Sequence, residues 1–111
     1  MTVTVKVLIP AKIAEAAQTT QYTASGVTAI IDKFTATNYS ASAATISVNL
    51  VTLAGSAGND NLIVKTKTLQ AGETYTFPEI VGAALATGGF ISTVAGTASA
   101  INIRASGREV S

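Results

Sequence analysis

Apolar residues recurring at every second position are the feature that most constrains what this chain can fold into. Val3, Val5, Val7 and Ile9 alternate with Thr2, Thr4, Lys6 and Leu8, while Ile46, Val48 and Leu50 alternate with Thr45, Ser47 and Asn49. An extended strand sends successive side chains to opposite faces, so this spacing gives a strand one face for a core, whereas a helix would scatter the same residues around its axis. Clusters of Gly, Asn, Asp and Ser separate the alternating segments and supply turns. At 111 residues the chain fits one domain, residues 1–111, with little room for a second.

The first alternating segment reads as a strand closed by Pro10, after which Ala11–Ala17 has the composition of a helical turn. The whole stretch 1–21 is a candidate extended N-terminal arm. Thr19–Ala24 is β-prone, Ser25-Gly26 turns, and a longer strand runs from Val27 to about Thr37, followed by a connection at Asn38-Tyr39-Ser40. In the next strand the pattern slips at Leu50-Val51, which predicts a β-bulge or a change of sheet there. The segment Gly55–Asn61 is a turn-rich loop. Strand Leu62–Leu69 follows, with Lys65 and Lys67 expected on one face. Ala71-Gly72-Glu73 turns into a short strand, Thr74–Phe77. One helix is predicted over residues 78–87, with Pro78 at its first position, Glu79 at the positive end of its dipole and Gly88-Gly89 as its stop. Strands Phe90–Val94 and Ala98–Ser106 complete the chain. About eight short strands with no parallel-crossover pattern predict an all-β fold, an antiparallel β-sandwich of jelly-roll or Ig-like topology.

Composition narrows the chemistry. The chain has no His, Cys or Trp. His-based acid–base catalysis, Ser-His-Asp and Cys-His sites, Cys/His zinc sites and disulfides are thereby removed together. The six acidic residues, Glu15, Asp32, Asp60, Glu73, Glu79 and Glu109, share no motif, so no enzyme, cofactor or metal centre is expected. Asn59-Asp60-Asn61 lacks the spaced acids and closing Glu of a calcium loop and reads as a turn. The net charge of +1 and the 12% charged residues give no basic stripe for nucleic acid. No apolar run approaches the ~18 residues of a membrane span, and the N-terminus lacks the pattern of an export signal. Soluble domains more often carry about 25% charged residues, so outward faces rich in Thr, Ser and Ala read as surface destined for another protein. The individual residues assigned to such contacts are Lys12, Tyr22, Tyr39, Lys65, Lys67, Arg104 and Arg108. Tyr75 shares its parity with Phe77 and is expected in the core.

Several segments carry a resemblance. Val7-Leu-Ile-Pro-Ala, Gln18-Thr-Thr-Gln-Tyr-Thr-Ala, Ala29-Ile-Ile-Asp-Lys-Phe-Thr-Ala-Thr-Asn38, Leu69-Gln-Ala-Gly-Glu-Thr-Tyr-Thr-Phe-Pro-Glu-Ile-Val-Gly82 and Ile103-Arg-Ala-Ser-Gly-Arg-Glu-Val110 together resemble small virion structural proteins of tailed phages and prophages. The resemblance implies a β-sandwich subunit made in the host cytoplasm and carried on the virion. The expected role is a capsid cement or decoration protein that binds the major capsid protein on the outer head surface. Dimers or trimers are expected from the symmetry of capsid junctions. The alternative is a carbohydrate- or receptor-binding module, or a tail or collar accessory subunit, present in few copies.

Overall fold

The computed structural model describes the whole chain, Met1–Ser111. It contains nine strands: β1 (Val3–Ile13), β2 (Thr19–Thr23), β3 (Thr28–Asn38), β4 (Ala44–Val51), β5 (Leu62–Leu69), β6 (Thr74–Thr76), β7 (Ala84–Leu85), β8 (Phe90–Ala95) and β9 (Ile101–Val110). All pairings are antiparallel. One sheet has the order β1-β9-β3-β6, with β7 also on β3, and the other has the order β2-β8-β4-β5. With the two-residue β7 set aside, the first strand pairs the last, the second the second-last, and so inward to β4 and β5. That is a long hairpin rolled into two facing sheets, the strand order of a jelly roll.

The core lies between the sheets. Ile31, Phe34, Ile101 and Ile103 from one sheet meet Ile46, Val48, Leu69 and Ile91 from the other, all with no exposed surface. Phe77 stands edge-on to Phe34, with ring centroids 5.2 Å apart, and to Tyr75 at 4.9 Å, geometries that aromatic quadrupoles favour. Tyr75 is half-buried at the margin of this cluster.

Several expectations are corrected. Residues 78–87 form no helix. One turn closes from Phe77, whose carbonyl accepts the Ile80 and Val81 N–H groups, and Gly82 then takes φ 87°. The edge of β3 captures the residues after this turn. Gly82 donates to the Ile31 carbonyl at 2.7 Å, Ile31 donates to Ala83 at 2.9 Å, and Ala84–Leu85 becomes β7. Ile80 is buried and Val81 exposed, so tertiary pairing outweighs a local preference worth only one turn. Pro10 does not end β1. It sits on an edge strand, where a missing N–H costs no ladder bond, inside the irregularity between Ile9 and Lys12. Ala11–Ile13 therefore continues the strand, and the expected helical turn does not form. Residues 1–21, read as a candidate arm, hold β1 and the start of β2, and Val3–Ile13 pairs along β9. The expected slip at Leu50-Val51 is absent, since β4 keeps unbroken register with β8 from Ile46 to Val51. The irregularities lie on the other side of β4, where β5 inserts extra residues between the partners of Ile46, Val48 and Asn49.

Candidate functional site

The assigned interface residues do not converge on one patch. Tyr22 is buried, and from β2 its hydroxyl reaches across the sandwich to donate to Glu109 Oε2 in β9 at 2.5 Å. Glu109 also accepts Lys6 Nζ at 3.3 Å. Tyr22 is thus a cross-sheet strut and not a contact residue. Lys12 pairs with Glu15 at 2.9 Å, and Glu15 accepts Gln21 Nε2 at 2.9 Å. Arg108 forks onto Asp32, with Nη2 2.9 Å from Oδ1 and Nε 3.0 Å from Oδ2. Asp32 is where β3 gains a residue relative to β9, between Ile31 and Lys33.

Lys65 and Lys67 part company. Thr66 between them has φ 43° at a β-bulge, and the extra residue shifts the alternation of β5. Lys67 Nζ lies 4.4 Å from the centroid of the Tyr75 ring, so it bridges the edges of the two sheets by a cation–π contact. Tyr75 in turn donates to Glu79 at 3.2 Å. Lys65 instead lines a groove on the outer face of β4 with Ser47 and Asn49. Arg104 is exposed on the outer face of the other sheet. There it lies diagonally from Lys33, which sequence reasoning missed, because β9 pairs Arg104 with Thr35 and Ser106 with Lys33. Tyr39 is 50% exposed.

The groove of about 210 Å³ beside Ser47 and Asn49 is built from side chains that satisfy one another. Asn49 Nδ2 donates to Gly58 O at 3.0 Å and to Asn61 Oδ1 at 2.7 Å, and Asn61 Nδ2 returns to Ser56 O at 2.8 Å. Gln18 Nε2 donates to Ser92 Oγ at 2.7 Å, and Ser47 Oγ accepts the Thr66 N–H at 2.8 Å. The loop Gly55–Asn61 therefore folds back over a face that alternation alone would leave bare, and Ser47 and Asn49 are buried. No aromatic side chain lines the groove.

No three of the chain's acidic residues come together as a metal-binding group. Glu73 accepts the Gln70 N–H at 2.8 Å and closes the turn before β6. Three of the seven cationic side chains form ion pairs, each with a different carboxylate.

No protein-family model, no curated protein and no solved structure matches the chain.

The paired groups set a pH response. Glu109 is held below the ordinary 4.5 by its Tyr22 hydrogen bond and then by Lys6, Glu15 by Lys12 and Gln21, and Asp32 below 3.8 by Arg108. A carboxylate with a lowered folded-state pKa stabilises the fold above its unfolded value, and that share is lost as pH falls through the folded value. Tyr22 moves the other way, pushed above 10.0 by burial first and by Glu109 second. Its share is present below 10.0 and declines as pH rises from there towards the raised value. Urea unfolding at graded pH is expected to show losses at both ends. Tyr22→Phe should lessen both losses, Tyr75 being raised as well, and an unchanged alkaline limb would contradict the strut.

Proposed function

We propose that the chain is a structural subunit of a phage particle, a capsid cement or decoration protein that binds the outer head surface where capsid subunits meet. The observation that carries this reading is a run of short neutral side chains on the outer face of the β1-β9-β3-β6 sheet, where the exposed cations Lys33 and Arg104 are the two charges left unpaired. Val5, Val7, Thr35, Thr37, Thr74 and Thr76 all belong to that face, and Arg108, which stands among them, is neutralised by Asp32. Surfaces of short neutral side chains lose little hydration and little rotamer entropy when covered. Such a face suits repeated docking on a lattice. Each copy seated across a junction adds contact area that the shell must surrender before it opens, and many copies multiply small contacts. Dimers or trimers would match the axes that capsid junctions present. The jelly-roll order is common to viral capsid and lectin domains, which is a fold-level analogy and agrees with a virion role without choosing it.

The few-copy carbohydrate or receptor module remains the alternative, and the structure adds nothing in its favour. Tyr22 is buried, the polar groove has no aromatic wall, and Tyr39 is left as its one exposed tyrosine outside β6. That reading predicts glycan binding lost in Tyr39→Ala.

Adding the purified protein to particles that lack it is the direct test. Saturable binding, together with a raised temperature of DNA release, is expected. Failure to bind mature heads, or binding with no effect on release, would overturn the cement role.

A further inference from the structure

We infer that the N-terminal half of β1 is a self-recognition edge through which two copies of the chain pair antiparallel about a two-fold axis at Val5. The phase of the β1–β9 ladder decides which groups are free. Thr2 and Ser111 exchange both backbone bonds, at 3.0 and 2.9 Å, and in an antiparallel ladder bonded and non-bonded pairs alternate. Thr4 and Lys6 therefore bond to β9, and the N–H and C=O groups of Val3, Val5 and Val7 point away from the sheet. The side chains of the same three residues are 51%, 83% and 42% exposed. Backbone and side chain are unmet at the same positions.

The other edges are guarded. β6 has three residues and β7 two, β2 is interrupted between Thr20 and Tyr22, and β5 is broken by its bulges and carries Lys65 and Lys67. β1 itself is guarded beyond Val7, by the irregularities around Ile9 and by Pro10. Only Val3–Val7 is a regular, open edge.

Register and charge select a second copy as the occupant. With Val5 opposite Val5 of the other copy, Val3 falls opposite Val7, and each of these pairs exchanges both of its backbone bonds. On the opposite face Lys6 meets Thr4, so no like charges oppose. A shift that places Val5 opposite Val7 would set Lys6 against Lys6, and a shift the other way would leave Val7 without a valine partner. Pro10 and the bulges fall outside the paired stretch. The three valines line up across the seam on the outer face, where the cross-strand contacts of a sheet form. A strip this short covers less than the roughly 800 Å² per partner of a standard interface, so the dimer is expected to depend on concentration in the micromolar range. The inference deepens the oligomer part of the proposed function, and it rests on the edge geometry of β1 and not on the particle.

Light scattering of the purified full chain over a concentration series up to about 1 mM tests it without any particle. The mass is expected to rise from one to two copies. Val5→Pro removes the central free N–H while sparing the bonds to β9, and it should weaken the dimer at least about tenfold with the far-UV spectrum unchanged. Because the chain has no cysteine, a second variant reads the register covalently. Val5→Cys should oxidise to a disulfide dimer far faster than Tyr39→Cys, since bonded antiparallel partners sit about 5.5 Å apart, within disulfide reach. A chain that stays monomeric throughout, a Val5→Pro variant that dimerises like the parent, or equal cross-linking at Val5 and Tyr39 would overturn the inference. Dimerisation without capsid binding would sink the particle reading alone.

Discussion

Gly107→Ala is expected to cost about 4 kcal/mol or more, enough to unfold much of the population of a domain whose whole stability is of order 5–15 kcal/mol. Gly107 lies in β9, paired to Lys6 of β1 on one side and Ile31 of β3 on the other. A Cβ at this position would overlap the backbone oxygen of Ile30 and press against Leu8 Cδ1 at 3.0 Å. The oxygen belongs to the ladder and cannot swing aside as a side-chain tip does. The bulge at Asp32 lies next to this contact, and relief requires parting the two central strands of the sheet. Gly26→Ala is the contrast. Gly26 has open space around it and pays only for its φ of 69°, about 1 kcal/mol. Urea denaturation of both variants measures the difference, and a Gly107→Ala loss as small as that of Gly26→Ala would contradict the described β3–β9 packing.

Asn38→Asp is the second large effect, expected at about 4 kcal/mol near neutral pH. Asn38 ends β3 and is fully buried. Its Nδ2 donates to Ser42 O at 2.8 Å and to Leu69 O at 2.9 Å, and its Oδ1 accepts the Ser40 N–H at 2.9 Å and the Ser40 hydroxyl at 2.7 Å. The side chain thus ties one sheet to the end of β5 in the other, with every donor and acceptor engaged. A carboxylate here would turn an oxygen towards two carbonyl oxygens in a dry site, so its ionisation is disfavoured and its folded-state pKa raised. By linkage, stability of the variant is present below the unfolded pKa and lost as pH rises. The deficit relative to the parent should therefore shrink in acid. Equilibrium unfolding at about pH 4 and about pH 7 measures this, and a deficit independent of pH would argue against the buried position.

Much of the fold was legible because alternation is a local signal. The pattern of Ile46, Val48, Thr45 and Ser47 placed β4, and Leu62–Leu69 matches β5 at both ends. What escaped depends on residues far apart in the chain. The jelly-roll order rests on pairs such as Val3 with Val110, for which local periodicity carries no signal. The segment from Pro78 has real helix-start chemistry, and it lost to an exposed edge of β3 that only the folded sheet supplies. Simple parity predicts one face for Lys65 and Lys67, which a single bulge at Thr66 cancels. Tyr22 stood beside a turn in a short strand, and the carboxylate that claims it lies at Glu109. Ser47 and Asn49 point outward from β4, as the alternation predicts. Their cover by the Gly55–Asn61 loop had no local signal except that loop's own Asn and Gly content. The open edge at Val3–Val7 was visible as a run of alternating valines, but the phase of its free hydrogen bonds required the pairing of Thr2 with Ser111.

The measurement that tests the central claim most directly is the number of copies per purified particle, by quantitative mass spectrometry against the major capsid protein. A lattice-wide cement role predicts hundreds of copies, in a fixed ratio to the capsid subunit. A dozen or fewer would contradict it and move the chain to a tail, collar or fibre, and complete absence from particles would reject the virion reading altogether.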